Sequence, residues 1–174
     1  MILTTGFPKS GTHALVKAVQ LLGHPCQVDH MPHTEYAGAW PGPRIVIKRD
    51  PRNVLLSWVR HQGKPVTRGM VITFMRDYDA GQTLAQAMAP FEGWLSDPGA
   101  LLVNYEALTA SDDEMRRIAA HLDTPYIDDA WRWLPGMTRT WHADHSDWRA
   151  LWTPQMDAAW REIGGPELLD RWGY

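Results

Sequence analysis

Gly6 and Gly11 enclose Phe7, Pro8, Lys9 and Ser10 in the segment TGFPKSGTH, Thr5 to His13. A short apolar segment precedes it at Ile2 to Thr4, and a helical pattern begins at Gly11. A glycine-bearing turn between a strand and a helix lets backbone N–H groups and a helix N-terminus converge on an anion. The glycines permit the turn and a close approach. Lys9 adds a mobile point charge, and Ser10 and Thr12 add hydroxyl donors. An ATP-type phosphate loop reads G-x-x-x-x-G-K-[ST]. Here Thr12 and His13 follow Gly11, and the lysine has moved inside the loop. The spacing therefore predicts a phosphate-loop architecture whose ligand is handled without the usual Mg²⁺-binding hydroxyl.

A second segment, KRDPRNVLLSW, runs from Lys48 to Trp58 directly after a predicted strand. Ligands of open α/β sheets bind beyond the carboxyl ends of the strands, so Lys9 and Arg49 are both expected on that rim. Ser57 falls eight positions after Arg49, about two helical turns into the following helix. An arginine can fork two phosphate oxygens, and the serine can add one donor.

Together these two segments resemble the phosphosulfate-binding motifs of the PAPS-dependent sulfotransferases (PAPS is 3′-phosphoadenosine 5′-phosphosulfate). The resemblance implies that Lys9, Ser10, Gly11 and Thr12 hold the 5′-phosphosulfate end, with His13 beside them. Arg49 and Ser57 would hold the 3′-phosphate. LVNYEAL (Leu102 to Leu108), SDWRALWTPQM (Ser146 to Met156) and the closing RWGY also match the family's pattern of elements. Arg139 is carried over as a further cofactor contact, although it lies nine positions before Trp148 and the family's glycine is replaced at Ser146. For the adenine-stacking aromatic, Trp40, Trp131 and Trp141 are open. The stretch from Lys9 to Arg49 is shorter than is usual in the family, and much of the acceptor pocket comes from it.

The implied reaction is an in-line displacement that passes a sulfuryl group from PAPS to a hydroxyl or amine, leaving PAP. Sulfuryl transfer has the physical demands of phosphoryl transfer, and charge on the leaving phosphate must be stabilised. Lys9 would supply that charge at the bridging oxygen. Histidine suits the base that takes the acceptor's proton. His30-Met31-Pro32 resembles the family's His-x-Pro segment, and His33 and Glu35 are alternatives. Two other readings stand beside this one: a phosphate-loop kinase of nucleotides or small molecules, and a non-catalytic domain that senses PAP. Asp50 is read as a helix cap rather than a catalytic acid, and Glu106 as an anchor of a strand end. Met70, Phe74 and Met75 are read as core or acceptor-pocket side chains.

The elements that must position these residues follow from periodicity. Leu15, Ala18, Val19 and Leu22 recur at helical spacing, and Gly23 and Pro25 stop that helix. Val28 belongs to a brief extended piece, and residues 30–43 read as loop. Arg44 to Lys48 has the continuous apolar centre of a buried parallel strand. Asp50 and Pro51 form a helix start. Residues 66–95 read as two helices around Gly81. Leu101 to Val103 is a third buried strand. Ser111 and Glu114 stand at capping-box spacing before Met115, Ile118, Ala119 and Leu122. Thr153-Pro154 opens a last helix, ended by Gly164-Gly165. Seven of the ten tryptophans fall in the last 44 residues and are read as core rather than a stacking platform. Strands alternating with helices predict an α/β fold: a P-loop-type three-layer sandwich with a mostly parallel central sheet flanked by helices.

Composition sets the outer bounds. The 174 residues suit one domain, here 1–174, with a core of its own. Seventeen basic against twenty acidic residues give a net charge of −3, so anion binding is local and no nucleic-acid partner is expected. One cysteine excludes an internal disulfide framework, and no His, Cys or carboxylate spacing suggests a metal site. Neither a signal peptide nor an apolar run of spanning length is legible, so a cytoplasmic location without a membrane span is expected. The expected partner is a small-molecule or glycan acceptor, whose identity fold analogy does not transfer.

Overall fold

The computed structural model describes residues 1–36, 40–126, 128–134 and 147–174. In chain order the elements are β1 (Ile2–Thr5), α1 (Thr12–Leu21), β2 (Cys26–Asp29), α2 (His33–Tyr36), β3 (Arg44–Lys48), α3 (Pro51–His61), α4 (Arg68–Arg76), α5 (Leu84–Met88), β4 (Ala100–Asn104), α6 (Tyr105–Leu108), α7 (Asp113–His121), α8 (Pro154–Glu162) and α9 (Gly165–Trp172). A 3₁₀ segment, Ala89–Ser96, follows α5. The chain is α/β, and it forms two compact units, Met1–Arg49 with Gly93–Asp144 and Asp50–Glu92 with His145–Tyr174.

The first unit holds the sheet. Its four strands lie in the order β2-β1-β3-β4, all parallel. After α1 the chain adds β2 on one side of β1, then crosses back to place β3 on the other. The order therefore reverses at β1, and the crevice of a doubly wound sheet opens at such a reversal, beyond the carboxyl ends of the strands. The continuous apolar centres of β1 and β3 are explained by burial on both faces: Leu3, Ile45 and Ile47 are fully buried. One face packs Ile45, Ile47 and Val103 with Ala14, Leu15, Ala18 and Val19 of α1 and with Met115 and Ile118 of α7.

Several local expectations are met. Asp50 caps α3, its carboxylate accepting the Arg52 N–H at 2.9 Å. Thr153 caps α8. The turn at Gly81 separates α4 from α5, with positive φ at Ala80 and Gly81. Others are corrected. The expected loop 30–43 contains α2. The capping box at Ser111 does not form: α7 begins at Asp113 with no side-chain cap bond from its N-cap, Asp112. Glu114 is buried and drawn inward, where it accepts the Asn104 N–H and pairs with Arg117. A buried carboxylate needs such partners more than a helix end does. Gly164 does end α8, but Gly165 opens a further helix, α9, with Pro166 in its first turn. The tryptophans divide: Trp160 and Trp172 are buried, whereas Trp133 is 53% exposed.

In the second unit, Arg52 lies over the Trp148 ring at 3.7 Å from its centre while its guanidinium pairs with Asp50. The Trp148 N–H donates to the Asn53 side chain at 3.3 Å. The start of α3 and the Trp148 segment are thereby tied together. No helix among the described residues is long and apolar enough to cross a membrane.

Candidate anion-binding site

The loop between β1 and α1 is shaped by contacts that only glycine permits. A Cβ on Gly6 would lie 2.5 Å from the Ile47 carbonyl oxygen on β3. Gly11 has φ +102°, and a Cβ there would lie 2.2 Å from the Tyr105 ring. Lys9 is also left-handed, at φ 70°. An L-residue held there costs about 1–2 kcal/mol. Such strain persists where the surrounding structure imposes it, often at ligand sites.

The loop gathers donors. Ser10 is fully buried, and its hydroxyl has no hydrogen-bond partner among the described residues. Its N–H closes a turn on the Phe7 carbonyl at 3.0 Å. Gly11, the N-cap of α1, provides no side-chain cap, and the first turn carries no acidic residue. The first N–H groups of a helix have no intrahelical acceptor, so this end is suited to an anion.

The flanking strands deliver the rest. Arg49, just past β3, donates from Nη1 to the Lys9 carbonyl at 3.3 Å. Its guanidinium lies over the Tyr105 ring, 4.2 Å from the centre. Tyr105, just past β4, therefore has Gly11 against its ring and Arg49 stacked on it. Burial first, and then the Arg49 charge, lower the Lys9 pKa from its ordinary value. Two cations held this close mark a place where negative charge is welcome.

His30, just past β2, reaches the same loop. Its Nδ1 lies 3.0 Å from the Gly6 carbonyl oxygen, and its Nε2 lies 3.4 Å from the Thr12 hydroxyl. A carbonyl only accepts, so Nδ1 carries a proton, and the neutral tautomer consistent with this contact has its lone pair at Nε2. The backbone of the loop thus fixes the tautomer that a general base requires.

Lys9, Ser10, Gly11, Thr12, His13, His30 and Arg49 are accordingly brought together around one loop. His33 is engaged elsewhere: it pairs with Asp97 at 3.5 Å and stands edge-on to Trp94, with ring centres 4.8 Å apart. Glu35 is exposed on α2. Ser57 is half-buried on α3, in the second unit. Arg139 and Trp141 lie outside the described residues. Trp131 packs against the sheet core, and Trp40 is half-buried. Met75 is fully buried, whereas Met70 and Phe74 are half-buried. Among the described residues no group of His, Cys, Asp and Glu could hold a metal ion.

Tyr105 is the site residue that motif reading left without a role. The available signal was an aromatic directly after a buried parallel strand, on the rim where ligands bind. Its contribution is testable: Tyr105→Leu keeps apolar volume under Gly11 but removes the π-face beneath Arg49. We expect a stability loss of about 1 kcal/mol and weaker anion binding, read by denaturant melts and titration. Unchanged anion binding would remove Tyr105 from the site.

No family model matches the sequence, and no curated protein matches it. Among solved structures, the fold is similar to that of mouse sulfotransferase SULT7A1 complexed with PAP, with a TM-score of 0.69 over 97% of this chain and 87% of that one. The two are 14% identical, and at that distance the likeness is one of fold.

Proposed function

We propose that this protein is a sulfotransferase that uses PAPS to sulfate a hydroxyl or amine on a small-molecule or glycan acceptor. The observation that carries the proposal is the strained, partly desolvated Lys9 beside Arg49 and the buried, unpartnered Ser10 hydroxyl, all on one strand-to-helix loop. The residues fit the group: an anionic oxygen answers both the orphaned hydroxyl and the repelling cations. The neighbour's bound PAP supports the choice of nucleotide. A single cysteine accords with a cytoplasmic location.

PAPS, when bound, supplies the activated sulfuryl group. The loop N–H groups, Ser10 and Thr12 would hold its 5′ end, and Arg49 would take the 3′-phosphate. Lys9 would supply the positive charge that stabilises the departing phosphate oxygen. His30 would accept the acceptor's proton at Nε2, leaving the acceptor oxygen or nitrogen free to take the sulfuryl group.

Thermal stabilisation by PAP tests the reading, because a ligand of the native state raises stability with its concentration. PAP is expected to stabilise without Mg²⁺, and ADP much less, with Arg49→Ala erasing the difference. Stabilisation by Mg²⁺-ATP alone would replace this reading with a kinase. If His30→Ala leaves acceptor sulfation intact, the base is another residue; if PAP binds but no acceptor is ever sulfated, the domain is a sensor.

A further inference from the structure

His30 follows β2, an edge of the sheet that pairs with β1 and leaves Gln27 and Val28 exposed. The sheet therefore steadies the His30 segment from one side. A second hold comes from far along the chain. Trp94 is buried, and its indole N–H donates at 3.1 Å to the carbonyl of Met31, the residue after His30. A buried indole N–H finds such a partner because leaving the bond unmade is costly. The Trp94 ring is itself held. The His33 ring stands edge-on to it, with centres 4.8 Å apart, and His33 Nε2 lies 3.5 Å from Asp97 Oδ2. The other Asp97 oxygen accepts from Arg44 Nη2 at 3.1 Å and from the Gly99 N–H at 2.8 Å. A Cβ on Gly93 would run into the His33 ring, so only glycine fits beside it. All of these residues lie in the first unit.

We propose that Trp94 is a positioning residue for His30: its N–H on the Met31 carbonyl holds the His30 ring at the anion loop. The inference rests on the proposed role of His30 as base and names what keeps that base in place. Two features make the link tight. Pro32 restricts Met31 to extended backbone, so the Met31 carbonyl cannot turn away without moving its neighbours. The His30 N–H donates to the Asp29 carboxylate at 2.7 Å, so the segment is fixed on both sides of the ring. The ring then makes its own contact, Nδ1 lying 3.0 Å from the Gly6 carbonyl oxygen. That length is ordinary for a hydrogen bond and soon leaves the favourable range if the segment slackens. A slack segment thus releases the tautomer that keeps the Nε2 lone pair free. His33 serves in this arrangement by backing Trp94, with Asp97 and Arg44 behind it.

Ring-nitrogen NMR spectra of the protein without nucleotide, at a pH where the imidazole is neutral, measure the tautomer of His30. Wild type is expected to hold the Nδ1–H form. Trp94→Phe keeps an aromatic ring and removes the N–H. The Nδ1–H form is then expected to fall about fivefold against the other tautomer, the worth of one hydrogen bond. With PAPS and whichever phenol, alcohol or amine wild type sulfates, kcat is expected to fall by about the same factor. PAP affinity, from calorimetric titration, is expected to stay unchanged. Trp160→Phe, at a buried tryptophan of the second unit, is the control. It should cost stability and leave the His30 spectrum unmoved, as a merely structural Trp94 would. An unchanged spectrum in Trp94→Phe overturns the inference and leaves His30 standing as base. If PAP affinity falls together with kcat, Trp94 supports the whole loop rather than His30, and the inference fails. A changed spectrum with unchanged kcat overturns His30 as base, while Trp94 still positions the ring. If wild type sulfates none of these acceptors, the proposed function fails and the spectrum alone decides the role of Trp94. Should Trp94→Phe fail to fold, benzothienylalanine at position 94 exchanges the N–H for sulfur in a ring of the same shape and is judged by the same outcomes.

Discussion

If the proposed function holds, Lys9→Ala is expected to lower sulfuryl transfer by about 100- to 1,000-fold while the protein stays at least as stable as wild type. Those two outcomes rarely accompany each other, and here they have one cause. Lys9 sits at φ 70°, and its ammonium is pushed below its ordinary pKa by burial and by Arg49. Both features cost the fold free energy. A lysine whose folded pKa is lowered destabilises at neutral pH, and that cost lifts as pH rises through the lowered value toward 10.5. Removing the charge removes the cost. Lys9→Gly should go further, because glycine adopts positive φ freely and the strain of about 1–2 kcal/mol disappears. Single-turnover rates with PAPS and denaturant melts on the same preparations check the pair. Should activity and stability fall together, Lys9 is holding the loop rather than serving the reaction.

Gly6→Ala is the substitution with the largest expected effect on the fold. The added methyl would lie 2.5 Å from the Ile47 carbonyl oxygen and 3.0 Å from the Ile47 Cγ2. Ile47 lies within β3, paired along the sheet with Val103 of β4, so its backbone cannot yield without disturbing that ladder. Overpacking against fixed backbone costs about 3 kcal/mol, which for a chain of this length lowers the melting temperature by about 10 °C. The damage also reaches the chemistry, because the Gly6 carbonyl accepts the His30 Nδ1 proton. Gly69→Ala is the control: nothing lies within 4 Å of its added Cβ, and the residue is in α4. There alanine is expected to be neutral or stabilising by about 0.5–1 kcal/mol. Equal melting temperatures for Gly6→Ala and wild type would show that the loop does not press against β3.

Much of this architecture is written locally. The apolar run Arg44–Lys48 is β3 to the residue, because a strand buried on both faces needs no polar alternation. Asp50 caps α3 and Thr153 caps α8, because a cap acts within three residues of itself. The glycines of the anion loop are legible for the same reason: a turn between strand and helix is a matter of neighbouring dihedral angles. Where a local pattern met a tertiary demand, it lost. Glu114 has capping-box spacing, yet burial against the end of β4 redirected its carboxylate to the Asn104 N–H.

The spacing of residues along the chain could assemble the candidates for the site but not choose among them. His30 and His33 are three positions apart and chemically identical. One bonds the Gly6 carbonyl and the other pairs with Asp97, a distinction made by where β2 ends and α2 begins. Tyr105, 94 positions after Gly11, meets it because the order β2-β1-β3-β4 sets the ends of β1, β3 and β4 side by side. The sequence by itself determined the strands, the helix starts at Asp50 and Thr153 and the glycine turn between β1 and α1, since each depends on forces that reach only a few residues. Only the tertiary structure decided which histidine faces the loop and which ring carries Arg49, since strand order brings together side chains that no local pattern relates.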